Sequence, residues 1–113
     1  MSHWKLASSD RTFALDVEAS DNSPMNGTLT YQGKSYSVTG TWVASGSMPQ
    51  RNASAFALSG FTGKLTEGMP NFIAATGIMT GPGGSPTKID IQADSSSSAD
   101  GTIQRYTGVL YPA

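Results

Sequence analysis

Apolar and polar residues alternate with a period of two in several short segments of the chain. This is the pattern of β-strands that bury one face. The clearest alternation lies in residues 27–43, where two such segments flank Gly33-Lys34. A two-residue loop that begins with Gly suits a type II′ turn, so the stretch predicts a β-hairpin. In this register Tyr31 lies opposite Tyr36.

Further alternating segments predict further strands on either side of this hairpin. Short clusters of Gly, Pro, Ser, Asn and Asp separate them, as is typical of turns. The pattern predicts a first hairpin around residues 8–11, a turn cluster at 20–26 and a long polar loop at 44–53. The remaining predicted strands are residues 54–61, 71–80, 88–94 and 102–111.

The predicted strand at residues 71–80 is apolar on both faces. Phe72, Ala74 and Ile78 alternate with a second apolar set that includes Ile73 and Met79. Because an apolar face is normally kept out of water, something is expected to cover each side of this strand. The candidates are a loop of the same chain or a partner, including a second copy in a homodimer.

A hydroxyl residue followed by Gly recurs inside four predicted strands. Glycine inside a strand commonly marks a bulge, a sharp bend or a close backbone approach, which a sheet needs to close on itself. The pattern therefore predicts one all-β domain over residues 1–113. We expect an antiparallel up-and-down meander of seven or eight strands closed into a small β-barrel, with a β-sandwich as the alternative. The four glycines are Gly40, Gly60, Gly77 and Gly108.

The segment Val38-Thr39-Gly40-Thr41-Trp42 resembles the TG-x-W stretch of avidin-like barrels and, more loosely, the G-x-W of lipocalins. The resemblance covers these five residues. It implies a barrel and carries no ligand identity to this chain.

The composition of the chain argues against some classes of binding partner. Seven Lys and Arg residues are scattered among eight Asp and Glu residues, so no charged patch favours nucleic acid or an anionic membrane. No segment has the length of apolar sequence that spans a bilayer, and the first residues lack a signal-peptide pattern. The sequence leaves a cytoplasmic protein as the default, with secretion by a signal-less route as the alternative. Cysteine is absent, so the sequence predicts neither disulfides nor thiolate metal sites.

The sequence contains few groups for catalysis. The single histidine, His3, stands near the chain start, where a solvent-exposed position is expected. The carboxylate pairs Asp16 with Glu18 and Asp90 with Asp94 lie on the polar sides of their strands. Neither has the apolar setting that raises a catalytic pKa. We therefore expect no catalytic, metal or cofactor site, and a carboxylate-dependent hydrolase is the least favoured interpretation.

Aromatic residues are the best candidates for a ligand site. Tyr31, Tyr36 and Trp42 share one face of the predicted hairpin, and such side chains offer apolar walls with hydrogen-bonding tips. Arg105 falls among the apolar residues of the last strand, so it is either the one charge inside a lumen or the sign of a bulge near Tyr106. The same aromatic residues also fit a packed barrel core.

Two functions remain open from the sequence. The first is a non-enzymatic binding or protein-interaction domain that acts through its loops or an aromatic face. The alternative is a calycin-like carrier that holds a small hydrophobic ligand in a lumen lined by Trp42, Tyr31 and Tyr36.

Overall fold

The part of the chain that the structure describes forms eight β-strands. The structure is a computed structural model that describes residues 2–20, 23–44, 53–62, 70–81, 87–97 and 101–113. The strands are β1 (Ser2–Ala7), β2 (Phe13–Ser20), β3 (Ser23–Tyr31), β4 (Lys34–Ala44), β5 (Ala53–Phe61), β6 (Phe72–Thr80), β7 (Lys88–Ser96) and β8 (Ile103–Pro112).

The strands pair in chain order as an antiparallel meander that closes into a barrel. This confirms the predicted barrel and excludes the sandwich alternative. Most neighbouring strands pair over nearly their whole length, as β5 and β6 do from Ala53–Thr80 to Phe61–Phe72. The closing pair differs, because β1 and β8 pair only at Leu6–Pro112 and Ala7–Tyr111.

Side chains alternate between the two faces of the strands, and one set fills the barrel, except that the first three residues of β8, Ile103 to Arg105, are all exposed. Successive side chains of a strand point to opposite faces, so every second residue lies inside. The largest fully buried side chain belongs to Trp4. The rest of the buried apolar core consists of Leu6, Phe13, Leu15, Val17, Ala19, Met25, Leu29, Tyr31, Tyr36, Val38, Phe56, Leu58, Ile73, Ala75, Met79, Ile89, Ile91, Ala93 and Leu110.

The turn between β3 and β4 differs from the predicted one by one residue. Gln32 and Gly33 form the loop, with φ angles of 50° and 79°, and Tyr31 pairs with Lys34. Two positive φ values are the signature of a type I′ turn, so the prediction of a type II′ turn at Gly33-Lys34 is wrong. Each strand moves by two positions relative to its predicted partner. A shift of two leaves every side chain on its predicted face.

The same kind of shift occurs in the first hairpin. A loop at residues 8–11 predicts that Leu6 pairs with Phe13, whereas the structure pairs Leu6 with Leu15. The predicted turn cluster at residues 20–26 is wrong over most of its length. Strand β3 begins at Ser23, and Met25 is fully buried in the core. The predicted connections at residues 44–53, 62–70 and 81–86 lie mostly outside the described residues.

The bulge that we expected near Tyr106 is not present. The alternation of the sequence also breaks at Gly60-Phe61, which favours a bulge or a bend there, but no bulge occurs. Strand β5 keeps its register with β4 through Phe61, and β8 keeps its register with β7 from Ile103 to Leu110. Gly40 and Gly60 instead lie where the backbone of the neighbouring strand comes close, and the closest approach is at Gly40. A Cβ atom at Gly40 would lie 1.8 Å from the carbonyl oxygen of Ala57 on β5.

Hydrogen bonds to Asp10 fix the loop between β1 and β2. Its carboxylate accepts from the Ser8 hydroxyl at 2.8 Å and from the Thr12 hydroxyl and N–H at 2.9 and 3.1 Å. These bonds favour the charged form, so they hold the pKa of the Asp10 carboxyl below its ordinary value of 3.8, the Thr12 N–H contributing most.

We expect Asp10 to contribute to the pH dependence of folding. Because its pKa is lower in the folded chain, its stabilising effect is present above pH 3.8 and is lost as the pH falls through the lower folded value. Asp10→Ala should therefore reduce the stability at neutral pH and weaken the further loss in acid. Urea unfolding between neutral and acidic pH measures this, with the exposed neighbour Ser9→Ala as the control. An unchanged acid profile in Asp10→Ala would contradict it.

Candidate functional site

The outer surface of the barrel has two unlike halves. The outward residues of β1 to β3 are mainly polar, whereas those of β4 to β8 include all the large apolar residues that the described part of the chain exposes. The polar half carries His3, Lys5, Asp16, Glu18, Asn26, Thr28 and Thr30.

The exposed apolar residues of β4, β6 and β8 are here called the apolar sector. They are Val43, Phe72, Ile78, Ile103 and Tyr111, with exposed fractions of 69%, 50%, 50%, 62% and 49%. Strand pairing places Val43 and Ile78 in one row across the sheet, with Ala55 of β5 between them. Phe72 and Ile103 lie at the opposite end of β6 and β8. The outer face of β6 thus stays exposed, and no described part of the chain covers it.

Between these two groups of the apolar sector lies a shallow depression of about 550 Å³. Small side chains form its floor, so the surface is low where Thr and Ala stand and higher where Phe72 and Ile78 stand. Two further depressions, of about 530 and 630 Å³, adjoin it beside Phe72 and Ile78. The outward floor residues are Thr39, Thr41, Ala57, Ser59, Ala74 and Thr76.

The charged groups of this face are paired. Arg105 donates to both carboxylate oxygens of Asp94, at 2.8 and 3.4 Å. These hydrogen bonds lower the pKa of the Asp94 carboxyl and raise the pKa of the Arg105 guanidinium. Lys88 lies 3.7 Å from Asp90. The face therefore carries little unpaired charge.

Arg105 does not join the predicted aromatic site. Its side chain is 74% exposed on the outer face, and β8 contains no bulge at Tyr106. The residue is neither the charge inside a lumen nor the mark of a bulge. The outward direction of Ile103 and Tyr111 explains its place, because Arg105 shares their face.

The structure places Tyr31, Tyr36 and Trp42 against the interior. Tyr31 and Tyr36 are buried, and Trp42 packs partly buried against the core. Burial raises the pKa of the Tyr36 hydroxyl, and nearby Tyr31 adds to the effect. The hairpin face that carries these residues is thus part of the barrel core.

Aromatic rings pack against one another in two clusters inside the barrel. Trp4 meets Trp42 and Phe56 edge to face, with ring centroids 5.9 and 6.0 Å apart. Phe13 stacks on Tyr106 at 4.6 Å. A ligand in the lumen would have to displace these side chains. The mouth beside Tyr31 holds a polar pocket of about 180 Å³.

In each predicted carboxylate pair at least one residue has an ordinary surface partner. Asp16 contacts His3 on the polar half, and Asp94 is held by Arg105. Within the described ranges, no three His, Asp or Glu residues are grouped closely enough to hold a metal ion. No helix suited to crossing a membrane occurs there either.

Sequence reasoning found one part of the apolar sector and missed the rest. The two-sided pattern of residues 71–80 marks Phe72 and Ile78. Val43, Ile103 and Tyr111 join them only through the strand order, which places β4 and β8 two strands away from β6 on either side. The available signal was the alternation of apolar residues in the last strand, but this alternation does not show which face of the strand points outward.

Comparison of the chain with protein-family models, with curated proteins and with solved structures gave no significant match.

Proposed function

We propose that the barrel is a protein-interaction domain that binds a partner protein through the outer face of β4 to β8. The observation that carries this proposal is the unequal distribution of exposed apolar residues. All five members of the apolar sector lie on β4, β6 and β8, whereas the outward residues of β1 to β3 are mainly polar.

The composition of the face supports an interface. Single exposed apolar residues are ordinary on protein surfaces, but five of them on one half of the described surface, with small side chains between them, are a distribution that an interaction site accounts for. Interface centres are also poor in free charge. Here the acidic residues Asp90 and Asp94 have cationic neighbours on the same face.

The outer face of β4 to β8 is uneven, so a partner can bind it by shape complementarity. The floor of small side chains lies between larger ones such as Phe72 and Ile78, so apolar side chains of a partner can enter the depression. A packed interior supports this interpretation over the carrier, because Trp4 and Phe13 occupy the space that a lumen ligand needs.

Photo-crosslinking from the two halves of the barrel tests the proposal. A photoreactive residue at Thr76, in the floor of the depression, should give specific adducts in the cells that express the protein. The same residue at Thr28 should not. Both positions are exposed threonines in the middle of a strand, on β6 and β3. Equal adducts at both positions, or none at Thr76, would contradict the proposal.

A second substitution separates binding from folding. Ile78→Ser should reduce the Thr76 adduct about tenfold or more, since buried apolar contacts dominate interface energetics. Its folding stability should change by less than about 1 kcal/mol because Ile78 is half exposed. Glu18→Ser on the polar half is the matched control. An undiminished adduct in Ile78→Ser would show that the apolar sector is not the binding surface.

A further inference from the structure

Strand β8 has an open edge. It pairs with β7 from Ile103 to Leu110 without a break. On its other side it pairs with β1 only at Tyr111 and Pro112. The segment from Ile103 to Val109 therefore has a neighbouring strand on one side only, among the residues that the structure describes.

The direction of the free backbone groups follows from one hydrogen bond. The Ala113 N–H donates to the Lys5 carbonyl of β1 at 3.1 Å, so residue 113 points towards β1. Backbone groups of a strand alternate in direction, and every second residue back along β8 shares the direction of Ala113. The N–H and C=O groups of Ile103, Arg105, Thr107 and Val109 thus point to the open side. The described strands offer them no backbone hydrogen bond there.

This edge lacks the features that usually prevent strand pairing. Natural edges carry lysine, proline or a bulge. From Ile103 to Val109 there is no lysine and no proline, and the register with β7 is regular. The one charge, on Arg105, is balanced by Asp94.

We propose that a second copy of this chain pairs with the edge, β8 against β8, antiparallel and with the two-fold axis between the two Tyr106 residues. In this register Ile103 lies opposite Val109 of the partner subunit, and Arg105 opposite Thr107 of the partner subunit. Each pair recurs by symmetry. The backbone groups that point to the open side on one copy meet the same groups on the other.

The sequence of β8 is complementary to itself in this register. Ile103 is exposed, and Val109, which is partly buried, lies on the same face of β8, so each end of the new strand pair gains an apolar contact. The pairing uses only residues that β1 leaves unpaired, and Tyr111 and Pro112 keep their place beside β1. A two-fold dimer of this kind closes and leaves no β8 edge for further copies.

The dimer goes beyond the proposed function and uses the backbone edge of β8, which shares only Ile103 with the apolar sector. The open edge runs along β8, whereas the apolar sector occupies the outer face. Pairing would join the outer faces of two copies into one wider sheet. The two proposals can thus fail separately, since Ile78→Ser leaves the edge intact.

Sedimentation analysis with substitutions at Thr107 tests the dimer. The unmodified chain should sediment as a dimer. Thr107→Pro should weaken association at least about 100-fold, because it removes an N–H that faces the open side and does so twice per dimer. Proline is tolerated on such an edge, so the monomer should stay folded. Thr107→Val keeps the N–H and should stay dimeric. A monomeric unmodified chain, or equal behaviour of the two variants, would overturn the proposal.

Cysteine pairing tests the register. The chain contains no cysteine, so introduced thiols have no competitors. In the proposed register, position 105 lies opposite position 107 of the other copy, at a Cα separation of about 5.5 Å that a disulfide can span. Arg105→Cys and Thr107→Cys should form little disulfide alone and a disulfide-linked dimer when mixed and oxidised. Efficient linkage of either variant alone, or none in the mixture, would overturn the register.

Discussion

Gly40→Ala should destabilise the barrel by at least about 3 kcal/mol, the largest effect expected from the addition of one methyl group. The new Cβ would lie 1.8 Å from the Ala57 carbonyl oxygen and 2.9 Å from the Leu58 Cα. Both atoms belong to the backbone of β5. A flexible side chain could turn away, but this strand is paired on both sides and cannot move without loss of ladder hydrogen bonds.

The control for this substitution is Gly33→Ala in the turn between β3 and β4. A Cβ at Gly33 meets nothing within 4 Å, and the residue has φ of 79°. The cost should be about 1–2 kcal/mol, since it comes from the left-handed backbone alone. Urea unfolding of both variants under the same conditions gives the comparison. Equal losses would mean that β4 and β5 move apart at Gly40 without much cost.

The position of Gly40 also connects the fold to the candidate site. The residue lines the depression of the outer face as well as the inner side of β4. The close approach of β4 to β5 at this point helps to shape the surface on which the apolar sector lies. We therefore expect a folded Gly40→Ala variant to lose Thr76 crosslinking as well as stability.

The faces of the strands could be predicted from the sequence, but their partners could not. Alternation has a period of two, so it fixes whether Tyr31 and Tyr36 share a face and is unchanged by a shift of two residues. The register therefore has to be predicted from the residues of the turn. The sequence favours Gly first in the loop, whereas the structure places Gln32 there with a positive φ. The Gln32 N–H donates to the Thr12 carbonyl at 3.0 Å, a contact between two loops that local sequence does not show.

The inward or outward direction of a strand face is the second point that the sequence leaves open. In β8 both faces carry large apolar residues, with Ile103 and Tyr111 on one and Tyr106 and Leu110 on the other. The structure turns Tyr106 inward because it stacks on Phe13 of β2. That contact joins distant parts of the chain. The inward position of Tyr106 places Arg105 on the outer face of β8, together with the members of the apolar sector on that strand. Local sequence patterns did not predict this.

Trp4→Ala should cost about 3–5 kcal/mol of folding stability, as expected for truncation of a fully buried large aromatic residue. Trp4 is 0% exposed and contacts Trp42 of β4 and Phe56 of β5 across the interior. Strand β1 pairs with β2 along its whole length but with β8 at only two positions, so these side-chain contacts help to hold it against the other side of the barrel. The matched control is Lys5→Ala, the outward neighbour on β1, which should change the stability by less than about 1 kcal/mol.

The same variant distinguishes a filled barrel from a ligand carrier. Trp4→Ala leaves an apolar cavity beside Trp42, and such cavities bind small apolar molecules. Benzene-sized probes should therefore change Trp42 fluorescence in Trp4→Ala and stabilise it, while the unmodified protein should not respond because Trp4 occupies that space. If the unmodified protein responds equally, and Trp42→Ala abolishes its stabilisation by the probe, the barrel accepts ligands without truncation and the carrier hypothesis is favoured over an interaction domain.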